Sequence, residues 1–190
     1  MEPKVEVRRL SDLMPASARG SVKIISRPEQ KKVIDASFPL PWHRERVIYI
    51  NFDFWRNLTK QQRDLLLLRT VSWLTGVKWF KPNVYQVVAL FGLFGGLMES
   101  VQGDAVGVVV AGGLSAIAIL RMYRNNRSQE SEIAADRAAI SLIKRRGHSE
   151  AEAAEHLLKA IETAAKIEKR STLNFIELIR IQNLRTIAGL

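Results

Sequence analysis

The strongest constraint on the fold is a stretch between residues 82 and 120 in which Glu99 and Asp104 are the only charged side chains. It contains two apolar runs, Pro82 to Met98 and Ala105 to Leu120. Each run is close to the lower limit of about 17 residues that a bilayer-spanning helix needs. The stretch therefore predicts an apolar, glycine-rich helical hairpin that crosses a membrane, with a buried or surface-lying hairpin as the alternative.

Two further features support a membrane hairpin. Lysines precede the stretch and arginines follow it, which predicts that both of its ends, both termini and the bulk of the chain lie on the cytoplasmic side. Small residues also recur at spacings of four within each run, as in closely packed membrane helices. These predicted packing positions are Gly92, Gly96, Gly103, Gly107, Ala111 and Ser115.

Outside the hairpin, the pattern indicates a mainly α (α+β) chain with a small β element near its front. The predicted elements are a helix over 3–14, strands over 22–25, 32–35 and 46–51, a helix over 59–76 and three amphipathic helices over 128–146, 149–169 and 172–187. We expect one domain over 1–190, made of a helix and strand segment 1–30, strands plus a helix 31–81, the hairpin 82–120 and C-terminal helices 121–190.

Composition excludes several kinds of site. There is no cysteine, so disulfides, thiolate metal sites and cysteine nucleophiles are absent. The three histidines, His43, His148 and His156, are never four residues apart, so no helical pair can point at one metal. The net charge of +10 is compatible with nucleic acid or an anionic membrane surface as a partner. The longest basic block is only 144–146, and a solvated surface is the simpler explanation of it.

One acidic pair has a spacing that permits chemistry. Glu132 and Asp136 are four residues apart on a predicted helix and therefore share a face. Such a pair can bind a cation or orient a ligand. Acidic residues are also favoured near the start of any helix by its dipole, which is the simpler explanation.

The order of elements resembles the front of membrane zinc peptidases of the HtpX and CAAX-prenyl-protease type. The resemblance is carried by Lys32–Trp42, Arg46–Asn51, the helix from Leu58 and the segment Glu132-Ile-Ala-Ala-Asp136. In that family, two strands precede a helix with a His-Glu-x-x-His motif. An apolar hairpin follows, and then a helix with a Glu-x-x-x-Asp motif. The resemblance implies a degenerate zincin-like arrangement over roughly residues 31 to 160.

The chain departs from that family at the catalytic motif. Arg69-Thr-Val-Ser-Trp73 occupies the position of His-Glu-x-x-His, so both histidine ligands and the glutamate base are replaced. The resemblance therefore implies a vestigial site made of Arg69, Thr70, Trp73, Glu132 and Asp136, with no catalytic residue, no metal and no cofactor. Arg69 would place a fixed cation where the metal was, and we expect it to pair with Glu132 or Asp136.

Three further segments are distinctive: Arg8–Ser17, Trp73–Pro82 and Gln102–Ile117. Through them, and over nearly its whole length, the chain resembles a family of uncharacterised cyanobacterial proteins, a domain of unknown function. This resemblance implies a thylakoid or plasma-membrane location and no particular activity.

Three functional hypotheses follow. The first is a non-catalytic, peptidase-like integral membrane protein that acts as a scaffold or assembly factor, with membrane proteins and lipid as partners, no nucleic acid, and room for a homo-oligomer. An extended segment would add to an exposed strand edge at Val47 to Ile50. The second is an active metal peptidase that uses Glu130, Glu132, Asp136 and either His43 or His156. The third is a basic helical protein without a membrane anchor that binds nucleic acid or anionic lipid.

Overall fold

The computed structural model describes residues 2–38, 45–76 and 129–190, together with 109–110, 112–113 and 116–117. The chain divides into two units. The first comprises Met1–Val77 and Gln129–Leu190, and the second comprises Lys78–Ser128. The described pairs of the second unit are helical and exposed. All elements named below belong to the first unit.

The described part of the first unit is mainly helical with one small sheet, which confirms the predicted fold class. The helices are α1 (Pro3–Leu13), α2 (Ala16–Arg19), α3 (Phe52–Trp55), α4 (Lys60–Gly76), α5 (Gln129–Lys144), α6 (Glu150–Ile167) and α7 (Phe175–Ala188), and the strands are β1 (Val22–Ser26), β2 (Ile34–Ala36) and β3 (Arg46–Ile50).

Local capping explains where the long helices begin and end. At the start of α4, the Thr59 backbone N–H donates to Gln62 Oε1 at 2.9 Å and the Gln62 N–H donates to Thr59 Oγ1 at 3.3 Å. These two reciprocal hydrogen bonds form a capping box. A second capping box, Ser149 with Glu152, begins α6. Gly147 follows α5 with φ of +92°, a left-handed conformation that favours glycine.

The sheet has the order β1-β3-β2, with β3 parallel to β1 and antiparallel to β2. Ile48 and Ile50 of β3 are fully buried and belong to the core. Because β3 pairs on both sides, the prediction of an exposed strand edge at Val47 to Ile50 is wrong. The edge strands are β1 and β2.

The core lies mainly between α4 and the C-terminal helices. α4 packs against α5 and α6, and α6 packs against α7. Leu67, Leu68 and Leu74 of α4 are fully buried. Each such leucine stabilises the fold by about 1.5–3 kcal/mol relative to an exposed side chain. This burial on several sides explains why the middle of α4 is so apolar in the sequence.

The prediction of an integral membrane protein in a thylakoid or plasma membrane is wrong, and so are the topology and the membrane scaffold role that depended on it. In the part of the chain that the structure describes, no helix is both long and apolar enough to cross a bilayer. Even in α4, which contains the run Leu65–Leu68, charged side chains lie on both sides of the leucines, at Arg63, Asp64 and Arg69. The six predicted packing positions of the hairpin, from Gly92 to Ser115, lie outside the described residues.

Candidate functional site

An ionic cluster joins α4, α5 and α7. Arg69 of α4 forms a salt bridge with Glu132 of α5, and its Nε lies 3.5 Å from Asp136 Oδ1. Arg180 of α7 donates from Nε to Asp136 Oδ2 at 2.8 Å and from Nη2 to Asp136 Oδ1 at 2.7 Å. Two guanidinium groups therefore balance two carboxylates.

The cluster is mostly shielded from water. Asp136 and Arg180 are buried, and the Arg69 and Glu132 side chains are each 16% exposed. Burial and the neighbouring positive charge of Arg180 lower the pKa of Arg69 to about 9, against the opposing attraction of Asp136. This direction reflects mainly the free-energy cost of removing the guanidinium from water and, to a smaller extent, the cost of placing it beside a second cation. The positive charges of Arg69 and Arg180 would also repel a further cation, such as a metal ion, at this site.

The structure brings three of the five predicted vestigial residues into one cluster, and the expected pairing of Arg69 with the acids is present. The other two lie on the same helix as Arg69. Thr70 is buried and donates from Oγ1 to the Leu66 carbonyl at 2.8 Å. Trp73 is buried and meets Phe38 edge to face, with ring centroids 6.1 Å apart. That these residues derive from a metal site stays a prediction.

The described residues do not provide a set of ligands for the alternative metal site. Among those residues, no group of three or more histidine, cysteine, aspartate or glutamate side chains could hold a metal ion. Glu130 is exposed at the start of α5, and His156 lies on α6. His43, the remaining candidate ligand, lies outside the described residues.

Arg180 was not among the site residues predicted from the sequence. A signal was present, because Arg180 lies four residues before buried Leu184 and next to buried Ile181, in the middle of an apolar helix face. A cation at such a position requires a buried partner.

A second network, also missed, joins α1 to α4. Buried Glu6 accepts hydrogen bonds from Arg9, Arg63 and the Trp55 indole, at 2.9, 3.0 and 3.2 Å. Arg9 also donates to Asp64 at 2.6 Å. Burial acts to raise the pKa of Glu6, but the hydrogen bonds and positive charges of its partners outweigh it, and the pKa lies below 4.5. The network fixes the N-terminal helix to the core.

Two arginines from distant parts of the sequence meet at the C-terminal end of α1. Arg19 donates to the carbonyls of Met14 and Asp12 at 3.1 and 2.9 Å. Arg146 donates to the Leu13 carbonyl at 2.6 Å. Both are exposed, and so is Arg145 beside Arg146. We call Arg19, Arg145 and Arg146 the basic corner.

The positive charge of the basic corner is available to bind an anion. None of its three arginines forms an ion pair with another described residue. The neighbouring acid Glu150 is paired with Lys144 at 2.9 Å. A guanidinium has five N–H donors. Arg19 uses two and Arg146 uses one in the hydrogen bonds above, so donors remain to bind an anion.

Comparison with known proteins identifies the family and no function. No curated protein and no solved structure matches the chain. Residues 8–148, which include the second half of α1, the sheet, α4 and α5, match the model of a family described as "Protein of unknown function (DUF3318)". Since this match covers well over half of the chain, the protein belongs to the DUF3318 family.

Proposed function

We propose that this protein is a non-catalytic binding protein whose partner is a nucleic acid, held through its phosphate backbone. The observation that carries the proposal is the basic corner, where Arg19 and Arg146 converge on one end of α1. Arginine binds phosphate oxygens through paired N–H donors, and such contacts supply most of the sequence-independent affinity for nucleic acids. The proposal reverses the expectation from the sequence that nucleic acid is not a partner.

The overall charge supports the same partner. The chain has 29 lysines and arginines against 19 acids. In the described ranges, many of the acids are occupied by ion pairs within the fold, as in the two buried networks. The exposed cations therefore dominate the field that an approaching polyanion meets, and this field raises the association rate.

The absence of catalysis is the second part of the proposal. It is supported by the resemblance to HtpX-type zinc peptidases and by Arg69, which lies between Glu132 and Asp136 where that resemblance places a metal. We propose that α4 and α5 descend from the metal-binding helices of such an enzyme in a cyanobacterial lineage. The ionic cluster now stabilises their packing and does no chemistry.

A binding titration tests the proposal. Fluorescence anisotropy of a labelled oligonucleotide with the purified full chain should show binding that weakens as salt rises, because binding releases counterions. Arg145→Glu and Arg19→Gln should each weaken binding, and the slope of log affinity against log salt should fall by about 1 for each phosphate that the protein no longer binds. Glutamine at 19 keeps a donor for the α1 carbonyls, and Arg145 has no such role.

Matched controls decide between outcomes. Arg185→Glu makes the same charge change as Arg145→Glu on an exposed residue of α7 and should lower affinity less. If both reversals weaken binding equally, the basic corner is not the site. If the protein binds vesicles of anionic lipid and no oligonucleotide, the proposal of a nucleic-acid partner is wrong. Stoichiometric zinc in the purified protein, lost on Glu132→Ala, would overturn the non-catalytic part alone.

A further inference from the structure

We infer that the solvent-facing side of the sheet binds single-stranded nucleic acid, with Arg27 as a platform on which a base stacks. This inference rests on the proposed function and adds the class of nucleic acid and the surface that selects it. The surface, which we call the outer sheet face, consists of Lys23 and Ile25 on β1, Arg27 directly after it, and Val47 and Tyr49 on β3.

The strand register defines this face. Side chains alternate between the two sides of a sheet, and paired residues of neighbouring strands share a side. Ile24 pairs with fully buried Ile48, so that side faces the core. Lys23 pairs with Val47 and Ile25 with Tyr49, on the opposite side. Lys23 and Ile25 are exposed and Tyr49 is partly exposed, which makes the outer sheet face accessible.

Arg27 lies over the ring of Tyr49, with its Cζ 4.7 Å from the ring centroid. The backbone that carries this cation–π contact is fixed by hydrogen bonds. The Arg27 N–H donates to the Ile50 carbonyl at 2.9 Å. The Asn51 side-chain amide donates to the Pro28 and Gln30 carbonyls at 2.8 and 3.0 Å. Arg27 is therefore positioned before any ligand binds, which reduces the entropy lost on binding.

A planar guanidinium group that lies over an aromatic ring is a suitable surface on which a nucleobase can stack. Unpaired bases stack on aromatic side chains and on arginine guanidinium planes in proteins that bind single strands. Arg27 is exposed and has Tyr49 on one side, so its other side can accept a base. In a duplex, both faces of each base are already stacked on neighbouring base pairs. The platform therefore favours single strands over duplexes.

Charge complementarity along β1 supports the same occupant. Lys23 and Arg27 are on one side of β1 and are separated by four residues, or about 13 Å at 3.3 Å per residue. Arg19 of the basic corner precedes β1 by only a few residues. Asp35, an acid on this side of β2, is paired with Lys32 at 2.9 Å. A polyanionic strand could thus extend from the basic corner along β1 with phosphates near the cations and a base on Arg27.

The test compares variants of Arg27 that separate charge from stacking. Anisotropy titrations of the full chain would use a labelled single-stranded oligonucleotide, its duplex and an abasic oligonucleotide of the same length. Arg27→Lys keeps the charge and removes the planar group. We expect it to weaken single-strand binding about ten-fold, as loss of one stacked base does, and to leave binding of the abasic strand within about two-fold. Arg185→Lys makes the same substitution at an exposed position of α7, outside the outer sheet face, and should bind as the wild type does.

Each outcome separates this inference from the proposed function. If Arg27→Lys binds the single strand as tightly as the wild type while Arg145→Glu does not, the basic corner stands and the stacking platform is wrong. Equal loss with the abasic and the intact strands would also exclude stacking. If the wild type binds neither strand nor duplex, both proposals fail. Because Arg27 is exposed, circular dichroism and thermal unfolding should show that the variants remain folded.

Discussion

Arg180 on α7 donates two hydrogen bonds to Asp136 on α5, at 2.8 and 2.7 Å, and both side chains are buried. Asp136 also lies 3.5 Å from Arg69 of α4, so one carboxylate joins three helices. Buried ion pairs of this kind are costly to break because removing one partner leaves the other charge without compensation. The packing of α4, α5 and α7 therefore depends on both arginines remaining in place.

Replacing Arg180 with leucine should destabilise the fold by about 3–5 kcal/mol, because the buried carboxylate of Asp136 would lose its two charge-assisted hydrogen bonds. The measurement is the free energy of unfolding from urea titration followed by circular dichroism. Arg185→Leu, at an exposed position on the same helix, is the matched control and should change stability by no more than about 0.5 kcal/mol. Equal effects of the two substitutions would contradict the structure.

Charge reversal at Arg69 should destabilise the protein, because Arg69→Glu places three carboxylates in one cluster. The second substitution Glu132→Arg should restore part of the loss by re-forming the salt bridge in the opposite direction. We expect a coupling free energy of about 1–3 kcal/mol in the double-mutant cycle. Additive effects of the two substitutions would mean that the pair does not interact in solution. Lys144→Glu with Glu150→Lys, an exposed pair, should show coupling below about 1 kcal/mol.

Acid should weaken the attachment of α1 through Glu6. The folded-state pKa of Glu6 is below its usual 4.5, so the folded state binds the Glu6 proton less readily than the unfolded chain does. The stability from this carboxylate is therefore present above about pH 4.5 and is lost as pH falls through the lower folded-state pKa. Urea unfolding of the wild type and Glu6→Gln between neutral and acidic pH should show a smaller loss of stability in the variant.

At neutral pH, Glu6→Gln itself should cost about 2 kcal/mol, because the partly buried Arg9 and Arg63 lose a charged acceptor. Glu29→Gln, at an exposed position, provides the comparison and should leave stability unchanged within about 0.5 kcal/mol. A pH profile of Glu6→Gln identical to that of the wild type would show that Glu6 does not contribute to acid unfolding.

The capping box of α4 should be measurable on its own. Thr59→Ala removes the hydroxyl that accepts from the Gln62 N–H, and we expect a loss of about 1 kcal/mol in the free energy of unfolding. Thr59→Ser keeps the hydroxyl and should retain most of the stability. If Thr59→Ala is as stable as Thr59→Ser, α4 does not begin with this capping box in solution.

Local chemistry allowed much of the fold to be predicted from the sequence. Capping pairs such as Thr59 with Gln62 fix helix starts through bonds between residues three apart, and β-branched residues favour strands such as β3. These signals depend only on neighbours, which is why α4, α6 and the three strands begin within a few residues of their predicted positions. Such local signals do not specify the order of strands in a sheet. The central position of β3 therefore contradicted the prediction of an exposed strand edge at Val47 to Ile50.

The site was predictable only where one helix contained its own pattern. Glu132 and Asp136 share a face by spacing, and the resemblance to zinc peptidases placed Arg69 opposite them. Arg180 completes the cluster from α7, the basic corner joins Arg19 to Arg146, and Arg27 lies over Tyr49 of another strand. The sequence by itself determined which segments become helices and strands, because those preferences act between near neighbours. The tertiary structure decided which charges meet, because distant side chains come within hydrogen-bonding distance only once the core has packed.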